Sequence, residues 1–95
     1  MAHLTLGELL LILAPAKSAV PLGSVWTHYK DPGKRYTVRG YSLREDTDEP
    51  AILYHPEYDN FPKDFIWDRV FSEWIGEVGY PDGTTGPRFK RIDKN

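Results

Sequence analysis

Six residues hold most of the chemistry that this 95-residue sequence offers: Trp26, His28, Tyr36, Tyr54, Trp67 and Arg69. Trp26 and His28 are two apart, as are Trp67 and Arg69, so on strands each pair shares one face. If the two faces meet, they form an aromatic-walled groove that holds one fixed cation. A guanidinium beside aromatic rings suits a carboxylate, a phosphate or a stacked base. The competing reading makes the same rings the core of a small barrel, with Arg69 stacked on Trp67 and paired with an acid. Against it stands the polar content, because a buried His, Arg and Tyr hydroxyl must each find a partner.

Signs of catalysis are few. The chain has no cysteine, hence no disulfide framework, no thiolate zinc site and no cysteine nucleophile, and a reducing, cytoplasmic compartment is the expectation. No glycine-rich phosphate loop, nucleophile elbow or paired His motif is present. His28 and His55 with Glu57 offer a facial metal site, but a strand histidine sharing a hydrogen bond with a carboxylate accounts for the same residues. Asp68 with Glu73, or Asp59 with Asp64, are the available acid–base pairs, and carboxylates in an acid-rich segment are ordinarily just solvated. No catalytic residue, metal or cofactor is assigned.

Charge is laid out unevenly. Residues 30 to 44 carry Lys30, Lys34, Arg35, Arg39 and Arg44 against Asp31 alone, a balance of +4, whereas residues 45 to 77 carry ten acids against Lys63 and Arg69, a balance of -8. One reading has these segments lie side by side and neutralise each other across a sheet. The other has Lys30, Lys34, Arg35 and Arg39, with Arg88 and Lys90 from the tail, form a face that meets nucleic-acid phosphates.

The elements that must position these residues are short. Thr5 and Glu8 form a capping box ahead of Leu6, Leu9, Leu10 and Leu13, a helical spacing that Pro15 is expected to stop. The apolar run from Leu9 to Ala14 is too short to span a membrane and, preceded by Glu8, is a poor secretory signal. Residues 1–22 are thus expected to be a helix and linker, and residues 23–95 a small β domain. Val25–Lys30 and Tyr36–Tyr41 read as a hairpin turning at Asp31-Pro32-Gly33. Ala51–His55 reads as a buried strand, and the prolines after it make a loop. Phe65 to Val70 alternates, and Phe71 to Trp74 then has the spacing of one helical turn. Ile75–Val78 and Pro87–Ile92 complete about five short strands, which suggests a small antiparallel barrel.

Gly23, Trp26, His28-Tyr29-Lys30, Tyr36, Val38, Tyr54, Trp67, Arg69, Phe71 or Trp74, Val78 and Pro87-Arg88-Phe89 follow a spacing that resembles a bacterial family known as domain of unknown function 1653. The resemblance covers residues 23 to 89. Asp31 and Val70 depart from it, where the family has Gly and Pro, and residues around Phe61 to Asp64 are extra. It implies a mostly β, SH3-like barrel and no established activity.

Three functions remain. The first is a non-enzymatic binding module whose aromatic groove, anchored by Arg69, takes a peptide or a small anionic ligand. The second is single-stranded nucleic-acid (RNA) binding through the basic hairpin, at odds with a pI near 5.9. The third is an enzyme with an unidentified metal or acid–base site. The apolar helix adds a further expectation, a homodimer or a covered barrel end.

Overall fold

The computed structural model describes residues 4–93. The first element is a helix, Leu6–Ala19 (α1), opened by the expected capping box. The Thr5 hydroxyl accepts from the Glu8 amide at 3.1 Å and the Glu8 carboxylate accepts from the Thr5 amide at 3.0 Å, satisfying two of the donors that a helix start leaves open.

Pro15 does not end this helix; it lies inside it. An interior proline removes one hydrogen bond and costs about 3 kcal/mol. The last turn repays it by packing. Ala16 and Val20 are completely buried, a buried valine contributes roughly 1.5–3 kcal/mol, and the Val20 carbonyl accepts from the Tyr41 hydroxyl at 2.7 Å. The segment after Pro15, expected to be linker, therefore continues the helix and joins the core through Ala16 and the capping Val20, while residues 17–19 stay exposed.

Five strands form one antiparallel sheet: Val25–His28 (β1), Asp31–Leu43 (β2), Pro50–Pro56 (β3), Trp67–Val70 (β4) and, at the far edge, Phe89–Arg91 (β7). Their order is β4-β3-β2-β1-β7. Glu77–Gly79 (β5) and Thr85–Pro87 (β6) pair separately as a two-stranded sheet. The expected closed barrel is not formed among the described residues, because the last segment splits at Arg88 between two sheets instead of running as one closing strand. The described residues form a mostly β domain of seven strands in two sheets with an N-terminal helix.

The hairpin of β1 and β2 turns at Tyr29-Lys30, not at Asp31-Pro32-Gly33. Thr27 pairs with Arg35 but His28 pairs with Asp31, so Pro32, Gly33 and Lys34 bulge out of the ladder. A second irregularity, between Val38 and Gly40, leaves Arg39 without a partner on β3. β3 is paired on both sides and buries Ala51, Ile52, Tyr54, His55 and Pro56, as its nearly unbroken apolar run requires.

Trp67–Val70 runs into the single turn Phe71–Trp74 (α2), as the change of period predicts. Val70 caps it at φ -60, the angle a proline would impose, so valine there keeps the geometry of the family pattern. Trp74 is 1% exposed. It lies flat on Phe89 with centroids 3.8 Å apart and meets Trp26 and Tyr54 edge-on. These rings, with Val38, Ile52, Ala16 and Val20, are the core.

Candidate functional site

The pocket is assembled on the other side of the core aromatics. Tyr36 on β2, Tyr54 on β3, Trp67 and Arg69 on β4, His28 at the end of β1 and Phe89 on β7 line a cavity of about 220 Å³, together with Tyr58 from the loop after β3. Register brings them together: Tyr54 lies opposite Trp67 across one pair of strands, and His28 opposite Phe89 across another. Five of the six residues singled out by the sequence therefore meet in one place.

Trp26 does not join them. Its indole N–H donates to the Ser24 hydroxyl at 2.7 Å, and Ser24 in turn donates to the Pro21 carbonyl at 2.5 Å. With its polar edge satisfied and its ring against Trp74, Trp26 belongs to the core. The two residues that sequence reasoning missed are Tyr58 and Phe89. Phe89 is in the family pattern, which was the available signal. Tyr58 sits between Pro56 and Pro62, where no periodicity exists.

Arg69 is held from two sides. Nη1 donates to Glu73 Oε1 at 3.5 Å, four residues on, and the guanidinium lies 5.6 Å from the centre of the Phe89 ring. Its Nε is buried and has no hydrogen-bond partner among the described residues. Tyr54 stands beside it: burial raises the Tyr54 hydroxyl above its usual range, and the guanidinium pulls the other way. Burial also raises Tyr36, reinforced by its 2.9 Å hydrogen bond to the Tyr58 hydroxyl.

His28 Nδ1 accepts from the Lys30 amide at 3.2 Å, which assigns the proton of the neutral ring to Nε2. Burial lowers its pKa first, and the positive charges of Arg69, Arg88 and Lys30 lower it further. The pocket thus presents neutral hydroxyl and N–H groups, one guanidinium and no carboxylate among its lining residues. Such a set can hold an anion by hydrogen bonds and charge.

The loop from Glu57 to Ile66 closes one end through rings. Tyr58 meets Phe61, Phe61 stacks on Phe65 at 5.4 Å, and Phe65 meets Trp67 edge-on at 4.9 Å. Asp59 and Asn60 take left-handed backbone angles that allow the reversal. His55, buried in β3, ties the loop down by a 2.7 Å bond between Nδ1 and the Phe65 carbonyl.

Several of the other acids and bases pair with each other. Glu57 accepts from the Thr37 hydroxyl at 2.6 Å and pairs with Arg39 at 3.9 Å; Asp68 pairs with Arg44 at 3.1 Å. The basic and acidic segments neutralise each other across the sheet at these two points. Lys34 pairs with Asp31 at 3.6 Å. Among the described residues no group of three or more His, Asp or Glu is placed to hold a metal ion, and no helix is long and apolar enough to cross a membrane.

The family described as Protein of unknown function (DUF1653) matches residues 24–91. A crystal structure of a DUF1653 protein from Bordetella bronchiseptica is similar over 74% of this chain and 85% of that one, with a TM-score of 0.59 and 27% identity. No curated protein matches. Trp67, Arg69 and Phe89, which line the pocket, lie inside the matched span, and the chain belongs to the DUF1653 family.

Proposed function

We propose that this chain is a non-enzymatic binding module whose pocket seats the anionic group of a small ligand, or of a peptide segment, against Arg69. The observation that supports it is the state of that arginine: placed by Glu73 and Phe89, its Nε buried and without a partner among the described residues, its remaining face lining a cavity walled by tyrosines, Trp67 and His28. An ion pair near the surface contributes only about 0–1 kcal/mol, so Glu73 orients the guanidinium without saturating its five donors. The cavity of about 220 Å³ is smaller than the roughly 300–1,000 Å³ usual for drug-sized ligands. It suits one carboxylate-bearing group. The cytoplasm is the proposed location.

The test is a titration of isotope-labelled protein with sodium benzoate, acetate and inorganic phosphate. Benzoate is expected to shift His28, Tyr54 and Arg69 resonances with a millimolar dissociation constant, equivalent to roughly 4 kcal/mol, and Arg69→Ala to abolish those shifts. Silence at all three residues with all three anions would sink the proposal.

A second reading, single-stranded nucleic-acid binding, is favoured by one cross-strand row. Arg35 and Lys90 flank Thr27 in register and line a shallow cavity of about 400 Å³. Neither forms an ion pair among the described residues, nor do Lys30 and Arg88, whereas Lys34 and Arg39 do. Binding of short oligonucleotides that ignores salt concentration would exclude it. We also propose that a second copy of the chain covers the exposed Leu6, Leu10 and Leu11 of α1, which light scattering tests directly.

A further inference from the structure

A second cavity, also about 220 Å³, adjoins the first, and His28 belongs to the wall of both. Its sides are Tyr29 and Tyr80, with Pro32, Pro81 and Pro87 between them and the cations Arg88 and Lys90 at hand. The two tyrosine rings lie 6.0 Å apart and 30° from parallel.

Tyr80 is held in place before any ligand arrives. Its hydroxyl donates to the Pro87 carbonyl at 2.9 Å, its amide donates to the Thr84 carbonyl at 2.8 Å and its own carbonyl accepts from the Gly83 amide at 3.0 Å. The ring lies flat on β6 only because residue 86 is glycine: a Cβ there would run into it, with ring carbons at 2.6 and 2.7 Å. Arg88 is fixed as well. Its amide donates to the Gly76 carbonyl at 3.2 Å, its carbonyl accepts from the Tyr29 amide at 2.9 Å, and its buried Nε has no partner among the described residues.

Rings 6.0 Å apart admit neither a base nor a pyrrolidine ring between them, since each face needs about 3.5 Å of contact distance, so an occupant rests in the cavity that they wall together with the prolines. Fixed aromatic faces interleaved with prolines suit pyrrolidine rings, which dock on aromatic slots in the extended polyproline conformation at little entropic cost. Charge selects the partner further, because Lys30, Arg88 and Lys90 are without acidic partners among the described residues and Arg69 waits next door.

We infer that the Tyr29–Tyr80 slot and the Arg69 pocket form one surface for an extended peptide segment that sets a proline in the slot and an aspartate or glutamate carboxylate on Arg69. This inference rests on the Arg69 pocket being an anion site and extends it across His28. An extended chain is the occupant that reaches two small cavities one imidazole apart.

The experiment uses blocked peptides that carry a Pro-Pro pair and an Asp separated by one, two or three residues, with Asn-for-Asp and Ala-for-Pro controls, titrated into labelled full-length protein. One spacing is expected to shift Tyr29, Tyr80, His28 and Arg69 together with a single dissociation constant. The Asn and Ala controls, and the Tyr80→Ala variant, should each bind about tenfold more weakly, a difference of about 1.4 kcal/mol. Tyr80→Ala should still bind benzoate as the natural chain does. Tyr29→Ala, outside the β5–β6 hairpin, gives the same reading if the loss of Tyr80 unfolds that hairpin. Benzoate binding with no response to any peptide, or peptide shifts confined to the Arg69 cavity and unchanged by Tyr80→Ala and Tyr29→Ala, overturns the inference and leaves the anion site standing. Silence from benzoate and peptides alike overturns both. Oligo-uridylate shifting Tyr29 and Tyr80 more than any peptide overturns it in favour of nucleic acid.

Discussion

The outer side of α1 and the Arg69 pocket both leave large side chains in water, and they differ in what accompanies them. On α1, Leu6 is 71%, Leu10 50% and Leu11 76% exposed, and the nearby Thr5 and Glu8 side chains are spent on the helix cap. In the pocket, Trp67 is 45% exposed but stands among Tyr54, Arg69 and His28. Bare apolar surface gains about 25 cal/mol per Å² from whatever covers it and prefers no orientation. Donors at fixed positions impose an orientation and a charge. Exposed hydrophobic area by itself therefore selects no partner, while the donors of the pocket would select a kind of group.

The largest effect separates the two sides of α1 themselves. Val20→Asp places an unpaired charge in the core and should cost more than about 4 kcal/mol, enough to unfold a domain of this size in chemical denaturation. Leu11→Glu should change monomer stability by no more than about 0.5 kcal/mol, while halving the mass seen by light scattering if a second copy sits there. Strong destabilisation by Leu11→Glu without a change of mass would mean that the outer side is not a free face, and the contrast with the pocket would fail.

Arg69→Ala comes next. It removes one exposed ion pair and one cation–π contact, about 1 kcal/mol together, so thermal melting should fall by a few degrees while benzoate affinity falls at least tenfold. A melting temperature that collapses would instead make Arg69 a structural residue of the core.

His28 supplies a smaller, pH-dependent effect. Its imidazole should titrate below its usual range near 6.5 because of burial and then the Arg69, Arg88 and Lys30 charges, and Arg69→Gln should move it back up. As pH falls through the unfolded value the unfolded chain takes up this proton first, so stability declines until pH drops below the folded value. An anion on Arg69 should raise the His28 pKa and bind more tightly as pH falls through it. An imidazole indifferent to Arg69→Gln would deny that the pocket is positive. The smallest effect is Tyr36→Phe, which removes the hydroxyl pair with Tyr58 and should cost about 0.5–1.5 kcal/mol.

The sequence brought most of its candidate residues to one cavity but anticipated only part of the architecture. Spacing of two put Trp67 with Arg69 on one face, and the family pattern named His28, Tyr36 and Tyr54; five of six meet. Trp26 was misplaced because alternation fixes a face but not its neighbours, and Ser24, two residues earlier, captures its N–H. Tyr58 was invisible since its position depends on left-handed Asp59 and Asn60 and on the ring contacts through Phe61 and Phe65 to Trp67. The turn at Asp31-Pro32-Gly33 was a sound local signal overridden by register: pairing His28 with Asp31 turns those residues into a bulge.

What the sequence alone determined are the local features whose causes lie within a few residues: the capping box of Thr5 and Glu8, the buried run of β3, and the switch from strand to turn at Val70. What only the tertiary structure decided are the outcomes in which distant groups compete. Pro15 remains inside a helix because Ala16 and Val20 find a core. The last segment divides at Arg88 because Phe89 stacks on Trp74, and the arginine of β4 becomes a candidate anion site because Phe89 and Glu73 place it while leaving its Nε without a partner among the described residues. Local propensity acts over a turn or two of chain; packing and charge pairing join residues tens of positions apart, and there the larger burial energy prevails.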